Sequence, residues 1–537
     1  MKFINFWGTW VVLWLLSLLA FSGAWNSGLV FDCVEWYNTI SQLGWKGFAV
    51  NFNDLAVRYF FDLVSLIVIS LFKTNLLPYF ILYTFLHATA AFQIYLLAKQ
   101  LIDKTHFPTI GTVAFIAALL FVVSPYTTET VIWKVGLIYL LATNQILLLL
   151  QTAVCYFKTL QRKYIAYYFL VLTAALLTHE IAMFFPFLIG ILGWKMYYQQ
   201  QRITSIKPIA VLVLPGLIAI GAYLLLNQLV MGVWLGHYGA KTHFNFNPVL
   251  LASTFNKYLF KFAFLSQLWK QDYKLWLYHL LEKNSIAYAS LFIYSAAAIF
   301  LFFKKLSPFH SLLVCLASFF ALLIAPVLNL YFLDWMPIHG DRLGYTAAAF
   351  FYLLWVSLLW YFFKEAGLFA ATVLFILQLN GLQQILASWH TAENILTQIH
   401  QSFTPAANKN YVLLAAADNY KGAYMFRCRS EVPFAATLQL RTGKNITDKC
   451  VEVLKFNMAN TLAGVAIEKI SDHELKMYFT QDGSWWWRNG QGAENFETAD
   501  FSATIKDNTA YINFKNKKPN TVYLYQQGNM LKVLDGF

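Results

Sequence analysis

A histidine, an aspartate and an arginine lie together in PIHGDRLGYT (337–346), between two long apolar runs of a chain in which only 12% of residues are charged. The planar guanidinium of an arginine can hold two phosphate oxygens at once. Arg342 is therefore the candidate for binding a phosphate, and His339 and Asp341 are the candidates for orienting the Arg342 side chain. An ionised group at membrane depth costs roughly 2.5 to 3.5 kcal/mol on insertion scales, which favours a polar cavity around these side chains.

Three further polar clusters stand beside apolar runs. A carboxylate placed next to an attacking hydroxyl can accept its proton. Asp32 is the first candidate for such a base and Glu35 is the second, whereas the other side chains are candidates for substrate binding. The clusters are FDCVEWYN (31–38), SPYTTETVIWK (124–134) and LTHEIAMFFP (177–186), and they supply Asp32, Glu35, Glu129, Trp133, His179 and Glu180.

Each of these groups also has a structural interpretation. A loop acid such as Asp32 can simply be solvated, and Glu180 can cap the start of the next helix. Arg342 can pair with Asp341, and Trp133 can belong to the aromatic belt of a membrane interface. The sequence leaves both kinds of interpretation open.

A fifth polar stretch is WLGHYGAKTHFNFN (234–247). His237 and Tyr238 are candidates for contacts with a headgroup or an acceptor. His237 and His243 are six residues apart with no clear third ligand, which is weak evidence for zinc. We predict no metal site here.

The composition identifies the class of protein that must position these residues. The 537 residues are 59% hydrophobic and 18% aromatic, and the mean hydropathy is +0.53. One soluble core cannot bury that much apolar surface, which predicts a protein with many transmembrane helices. Much of the formal charge of +13 lies in short loops between apolar segments, as membrane orientation requires, and we expect no nucleic-acid partner.

Apolar runs long enough to span a bilayer predict a mainly α-helical bundle of about eleven spans. Residues 1–386 form this membrane domain. The predicted spans are 4–21, 77–98, 108–124, 136–157, 164–178, 181–194, 208–230, 286–303, 310–331, 345–363 and 367–386.

Lysine and arginine residues set the predicted orientation. With a cytoplasmic N-terminus, most short-loop cations lie inside, and the short outer loops contain only Lys134 and Arg342. This is the positive-inside pattern. It places the long loops 22–76 and 231–285 outside, together with every polar cluster described above.

The pattern of apolar and polar residues changes after the last predicted span. Residues 387–404 read as an amphipathic connecting helix. Residues 405–537 contain alternating segments such as ELKMYFTQ and TAYINF, separated by turn signals such as RNGQG. This pattern predicts a small β-rich extracytoplasmic domain.

The order of these motifs resembles the GT-C superfamily of polytopic glycosyltransferases, which includes the protein O-mannosyltransferases. The similar stretches are FDCVEWYNTI, the run from RYFF to LHATAAF, SPYTTETVIWKVG, THEIAMFFP and GDRLGYTA. They cover roughly residues 1 to 390. One departure concerns the first loop, where the paired acids of the family are here Asp32 followed by Cys33. The residues in matching positions are Asp32, Arg58, His87, Glu129, Trp133, Glu180, Arg342 and Tyr345.

The resemblance implies an enzyme that moves a sugar from a polyprenyl-phosphate donor to a glycan, lipid or protein acceptor at the outer side of the membrane. Its partners would be the lipid-linked donor, membrane lipids and that acceptor. Some members use a divalent cation, although no cofactor is predicted from the residues themselves. Arg58 would be a substrate-binding residue on this resemblance. Compact loops favour a bacterial inner membrane with the C-terminal domain in the periplasm.

Two other classes of function stay open. A lipid or polysaccharide transporter would more often show internal repeats or broken helices in matching positions, and the sequence shows neither. A non-catalytic relative could act as a membrane scaffold that displays the β-rich domain, and Cys33 in place of a second acid favours that alternative.

Overall fold

The computed structural model describes residues 2–49, 56–101, 109–234, 247–329, 338, 340–427, 432–488 and 491–537. Helices dominate the described part of the chain up to residue 402. They are α1 (Lys2–Phe21), α2 (Asp32–Leu43), α3 (Tyr59–Phe72), α4 (Leu76–Leu101), α5 (Ile110–Val122), α6 (Thr128–Ile132), α7 (Leu137–Thr159), α8 (Lys163–Leu176), α9 (Phe185–Leu192), α10 (Lys207–Met231), α11 (Pro248–Phe264), α12 (Gln271–Leu281), α13 (Asn284–Phe303), α14 (Pro308–Ile324) and α15 (Tyr345–Ser402), and α16 (Pro433–Thr442) lies in the C-terminal part.

The described residues contain eight helical segments that are long and apolar enough to span a membrane. A ninth arises if α5 and the bent segment Pro125–Ile132, which is inclined to it by 58°, count as one span. Val123 and Ser124 separate the two pieces and Pro125 begins the second, and proline is expected where a helix must be interrupted. These segments confirm the prediction of an integral membrane protein with a helical bundle.

The segment Asp341–Ser402, which includes α15, is too long for a single crossing. At 1.5 Å per residue it would extend about 90 Å, against roughly 30 Å for the hydrocarbon core. Its backbone breaks at Lys364, where φ is 52°. A Cβ on Gly367 would lie 2.1 Å from the carbonyl oxygen of Leu359, so only glycine fits this turn. The break lies between the two predicted spans 345–363 and 367–386.

The predicted number of eleven spans stays a prediction. It requires that α15 crosses twice and that the bent segment and the 14-residue helix α8 each cross once. The two long loops are also helical where the structure describes them. Helices α2 and α3 lie in loop 22–76, and helices α11 and α12 lie in loop 231–285.

The C-terminal part is rich in β-structure, as predicted. One sheet has the strand order β12-β11-β1-β3-β6-β7 with β2 paired to β1, and a second has the order β4-β5-β10-β9-β8. The strands are β1 (Asn410–Tyr420), β2 (Ala423–Tyr424), β3 (Cys450–Met458), β4 (Val465–Lys469), β5 (Glu474–Phe479), β6 (Trp486–Arg488), β7 (Gln491–Gly492), β8 (Phe496–Glu497), β9 (Phe501–Lys506), β10 (Thr509–Phe514), β11 (Thr521–Gln527) and β12 (Met530–Val533).

The first sheet contains parallel pairs that the alternating pattern did not predict. Strand β1 runs parallel to both β3 and β11, and α16 connects β1 to β3. A strand covered on both faces reads as a continuous apolar run, and VLLAAA in β1 is such a run. The predicted alternating segments ELKMYFTQ and TAYINF are β5 and β10 of the antiparallel second sheet.

The connecting helix predicted at 387–404 is the last part of α15 rather than a separate element. It joins the two domains through an ion pair between Glu393 and Arg441, which lies on α16. The ring of His400 stacks on Phe434 with centroids 5.7 Å apart. The β-rich domain therefore packs against the C-terminal part of α15, at that end of the bundle.

Glu452 provides a test of the packing inside the C-terminal domain. Its Oε1 accepts the backbone N–H of Phe434 at 2.6 Å, at the start of α16, and its Oε2 is buried with no hydrogen-bond partner among the described residues. Burial raises the pKa of this carboxyl to about 7, although Lys455 and the backbone N–H groups of Phe434 and Ala435 oppose the shift.

We predict that Glu452→Gln gains stability relative to the wild type as the pH rises. The raised pKa means that the carboxyl contributes fully below pH 4.5 and loses that contribution as the pH rises through 7. Between pH 5 and pH 8 the difference should grow by on the order of 2 kcal/mol. Thermal unfolding of the full chain in detergent at several pH values measures it. The exposed Glu474→Gln is the control, and parallel pH curves for Glu452→Gln and the wild type would contradict the prediction.

Candidate functional site

The candidate site lies where the helical bundle meets the C-terminal domain, and three short elements build it. The five-residue helix α6 carries Glu129. A 3-10 turn at Asp341–Gly344 carries Arg342 and starts at Gly340, whose φ of 87° favours glycine. The two-residue strand β2 carries Tyr424.

Glu129 is completely buried and is held by the other two residues. Its Oε1 forms an ion pair with Nη1 of Arg342 and accepts a hydrogen bond of 2.5 Å from the hydroxyl of Tyr424. Its Oε2 accepts the backbone N–H of Arg342 at 2.9 Å. Arg342 Nη1 also donates to the Tyr424 hydroxyl over 3.1 Å. A buried carboxylate is tolerated only with such compensation.

Aromatic rings surround this triad of Glu129, Arg342 and Tyr424. The guanidinium carbon of Arg342 lies 5.1 Å from the ring centroid of Trp133, a cation–π geometry. The ring of Phe31 lies 5.4 Å from that of Trp133 and 5.1 Å from that of Tyr424. Trp133 is therefore buried in the site rather than exposed in an interface belt.

A close backbone approach places the acidic helix α2 beside the triad. Lys134 donates its N–H to the carbonyl of Gly28 over 3.1 Å, and the indole N–H of Trp133 donates to the carbonyl of Val30 over 3.1 Å. Gly28 has a φ of 92°, and a Cβ there would lie 2.0 Å from the carbonyl oxygen of Ile132. Glycine is thus required for this contact.

Asp32 and Glu35 both lie in the first turn of α2, directly after Phe31. Phe31 has a φ of 63°, an uncommon conformation for a bulky residue. Its ring contacts the aromatic wall of the triad. The fold therefore brings the start of α2, which carries the two predicted catalytic acids, next to the aromatic rings around Glu129 and Arg342.

Asp341 does not pair with Arg342, which is the alternative that the sequence left open. It forms an ion pair with Lys261 of α11, and both groups are buried. The Nζ of Lys261 also lies 4.8 Å from the ring centroid of Tyr126. Asp341 thus ties the second long loop to the turn that carries Arg342.

Arg58 and Glu180 form a separate ion pair. Nη2 of Arg58 lies 2.9 Å from each carboxylate oxygen of Glu180, and Nε donates to Oε1 over 3.2 Å. His179, rather than Glu180, caps the following 3-10 turn by accepting the N–H of Ile181 at 3.1 Å. Its ring lies 5.0 Å from that of Tyr139. The predicted residues Arg58, His179 and Glu180 therefore lie together.

Tyr258 of α11 is close enough to both groups of polar residues to interact with each. It interacts electrostatically with Asp341, Glu129 and Arg342, and also with Tyr139. Tyr139 in turn contacts His179. The two ion-pair clusters are thus neighbours, but Glu180 does not contact the triad directly.

Several predicted residues fall elsewhere. His339, His237 and Tyr238 lie outside the described residues. His87 and Tyr345 form a hydrogen bond of 2.7 Å inside the bundle, where both are completely buried. Within the described ranges, no group of three or more histidine, cysteine, aspartate or glutamate side chains is arranged to hold a metal ion.

Tyr424 is the main residue that the sequence analysis missed. It lies between Glu129 of the bundle and Arg427 of its own domain, whose guanidinium carbon is 5.2 Å from the Tyr424 ring. Arg427 is ion-paired with Asp418. No motif marks Tyr424, because its role depends on how the domain packs on the bundle.

No family model and no curated protein matches the chain.

We predict that Glu129 and Arg342 are strongly coupled. Glu129→Leu should lower the free energy of unfolding by about 3 to 5 kcal/mol, because it leaves the Arg342 charge buried without its carboxylate. The double variant Glu129→Leu/Arg342→Leu removes both charges and should cost less than the sum of the two single changes. Thermal unfolding of the four proteins gives the coupling. Additive losses would show that the two side chains do not depend on each other.

Proposed function

We propose that this protein is a GT-C-like membrane glycosyltransferase that moves a sugar from a polyprenyl-phosphate donor to a glycan, lipid or protein acceptor at the outer membrane surface. The observation that carries the proposal is the convergence of acids, arginine and aromatic rings at one end of the bundle. The residues come from loop 22–76, from the bend after α5, from the turn before α15 and from the C-terminal domain.

The chemistry requires a base for the acceptor hydroxyl. Asp32 is the proposed base and Glu35 the alternative, since both lie on the first turn of α2 at the edge of the triad. A positioned general base typically contributes 10²-fold to 10⁴-fold in rate. The side chain of Asp32 is partly exposed, which lets an acceptor reach it from water.

The departing lipid phosphate requires a cation. Arg342 is the residue predicted from the sequence, and its side chain is 13% exposed. Its Nη1 is committed to Glu129 and Tyr424, so a phosphate that binds Nη1 would displace one of these two contacts. Glu129 then acts as a positioning residue that fixes the direction of the guanidinium.

A non-catalytic scaffold is the second candidate function. Tyr424 contacts both Glu129 and Arg342. In a scaffold, these contacts would hold the C-terminal domain on the membrane bundle and would have no part in a reaction. The scaffold and the enzyme differ in one respect that can be measured, because only the enzyme depends on Asp32 for turnover.

We predict that Asp32→Asn lowers sugar transfer by about 100-fold or more while the protein stays folded. The assay uses purified protein and a panel of polyprenyl-phosphate sugars with a radiolabelled sugar. Glu35→Gln is the matched control, with a smaller loss expected because Glu35 is the second choice for the base. Equal, measurable transfer by Asp32→Asn and the wild type would exclude Asp32 as the base and leave Glu35 as the alternative. Absence of transfer by the wild type with every donor would favour the scaffold.

The proposed location is a bacterial inner membrane with a cytoplasmic N-terminus and the C-terminal domain in the periplasm. The positive-inside pattern of the short loops supports this orientation. Lys158 lies in the last turn of α7, at the opposite end of that helix from Leu137, and donates to the carbonyl of Gln100. Cations favour the cytoplasmic side.

We predict that a cysteine at Asp472, an exposed residue of the C-terminal domain, reacts in intact spheroplasts with a membrane-impermeant maleimide. A cysteine at the exposed Lys305 should react only after the membrane is opened. Labelling is read above the background of the wild-type cysteines. The reverse pattern would overturn the orientation.

A further inference from the structure

A cavity beside the triad contains a buried lysine that the proposed function has not used. It lies between α2, α3, α4 and the start of α7, and its enclosed volume is about 20 Å³, within about 320 Å³ of empty space that includes the open solvent at its mouth. Lys134 lines it and is 5% exposed. The Nζ of Lys134 has no hydrogen-bond acceptor among the described residues.

The ammonium group of Lys134 has an aromatic ring, a thiol and a carboxylate around it. Its Nζ lies 5.4 Å from the ring centroid of Tyr83. Lys134 interacts electrostatically with Cys33, which also lines the cavity, and with Glu393. Glu393 is already ion-paired with Arg441. A buried ammonium group without an acceptor is costly, so a chain that keeps one in a cavity is expected to supply it with an anion from outside.

The residues that line the cavity indicate the chemical character of the rest of such a ligand. They are mostly aromatic and aliphatic, with Ser65 as a further polar group whose buried Oγ has no hydrogen-bond partner among the described residues. The apolar lining residues are Leu29, Trp36, Val68, Ile69 and Leu137.

The surface next to the cavity is apolar as well. Leu71 on α3 is 71% exposed, and Leu77 and Ile81 on α4 are also exposed. In an integral membrane protein such residues face lipid. A ligand with an anionic head at Lys134 could therefore extend a hydrocarbon chain between α3 and α4 into the bilayer.

We infer that this cavity binds the phosphate of a lipid phosphate monoester, with Lys134 as the cation that holds the anion and the apolar walls as the contact for its chain. The inference deepens the proposed function by naming the group that holds the donor phosphate, and it rests on that function only for the identity of the lipid. Lys134 would hold the phosphate in addition to Arg342, whose Nη1 is already shared by Glu129 and Tyr424.

The test measures binding without turnover. Full-length protein in detergent is titrated with farnesyl phosphate, farnesol or inorganic phosphate, and complexes are counted by native mass spectrometry. The wild type should bind farnesyl phosphate more tightly than either of the other two compounds. Lys134→Met should lose about tenfold or more in affinity, the size expected for one charge-assisted contact. Lys99→Met is the control, because Lys99 is exposed at the other end of α4 and donates to Tyr95.

A second variant guards against a folding defect. Val68 lines the cavity, and Val68→Phe fills it while Lys134 stays in place, so this variant should lose binding too. Lys134→Met removes a buried charge and should unfold at or above the wild-type temperature.

Three results would overturn the inference. The first is that both Lys134→Met and Val68→Phe bind farnesyl phosphate with the affinity of the wild type. The second is that the wild type binds farnesol as tightly as farnesyl phosphate. The third is that the wild type binds inorganic phosphate as tightly as farnesyl phosphate, which would indicate a site for a free anion. Binding of farnesyl phosphate by a protein that transfers no sugar would support this inference and count against the proposed function alone.

Discussion

The buried ion pair between Glu129 and Arg342 is the constraint on which the candidate site depends. A carboxylate with no exposed surface must receive a cation and hydrogen-bond donors, or its burial would cost several kcal/mol. Those donors come from the turn before α15 and from Tyr424 of the C-terminal domain. The pair therefore fixes three parts of the chain at once: the bend after α5, the start of α15, and the β-rich domain. The acidic turn of α2 reaches the same place because Phe31 packs on Trp133 and Tyr424.

The same contact couples the two domains. Tyr424 joins the triad on one side and Arg427 on the other, and Arg427 is held by Asp418 and lies 4.4 Å from the ring centroid of Trp487. A change in the position of the C-terminal domain must therefore move Tyr424 relative to Glu129. For an enzyme, this arrangement means that the domain forms one wall of the reaction site. For a scaffold, it means that the membrane bundle fixes the direction in which the domain is displayed.

Much of the bundle could be predicted from the sequence, since apolar runs of membrane length have few other structures available to them. The partners of the buried polar side chains could not be predicted from the sequence, because Glu129 and Arg342 are 213 residues apart and no spacing rule connects them. Asp341 and Lys261 show the same limit, since the sequence offered Arg342 as a possible partner of Asp341 and no motif indicated Lys261. The parallel strands of the C-terminal domain were missed because VLLAAA lacks the alternation of a half-exposed strand. Lys134 was visible as one of two cations in the short outer loops, but its cavity became apparent only from the packing of α2, α3 and α4.

The central claim is that the outer end of the bundle receives the headgroup of a lipid-linked sugar. Electron cryomicroscopy of the full chain in lipid nanodiscs, with a non-hydrolysable polyprenyl-phosphonate sugar added, tests it most directly. We expect headgroup density at the junction of the bundle and the C-terminal domain, with the phosphonate in contact with Lys134 or Arg342 and the sugar next to Asp32. Density for the added compound only among the lipids around the bundle, with the junction unchanged from the sample without it, would contradict the account.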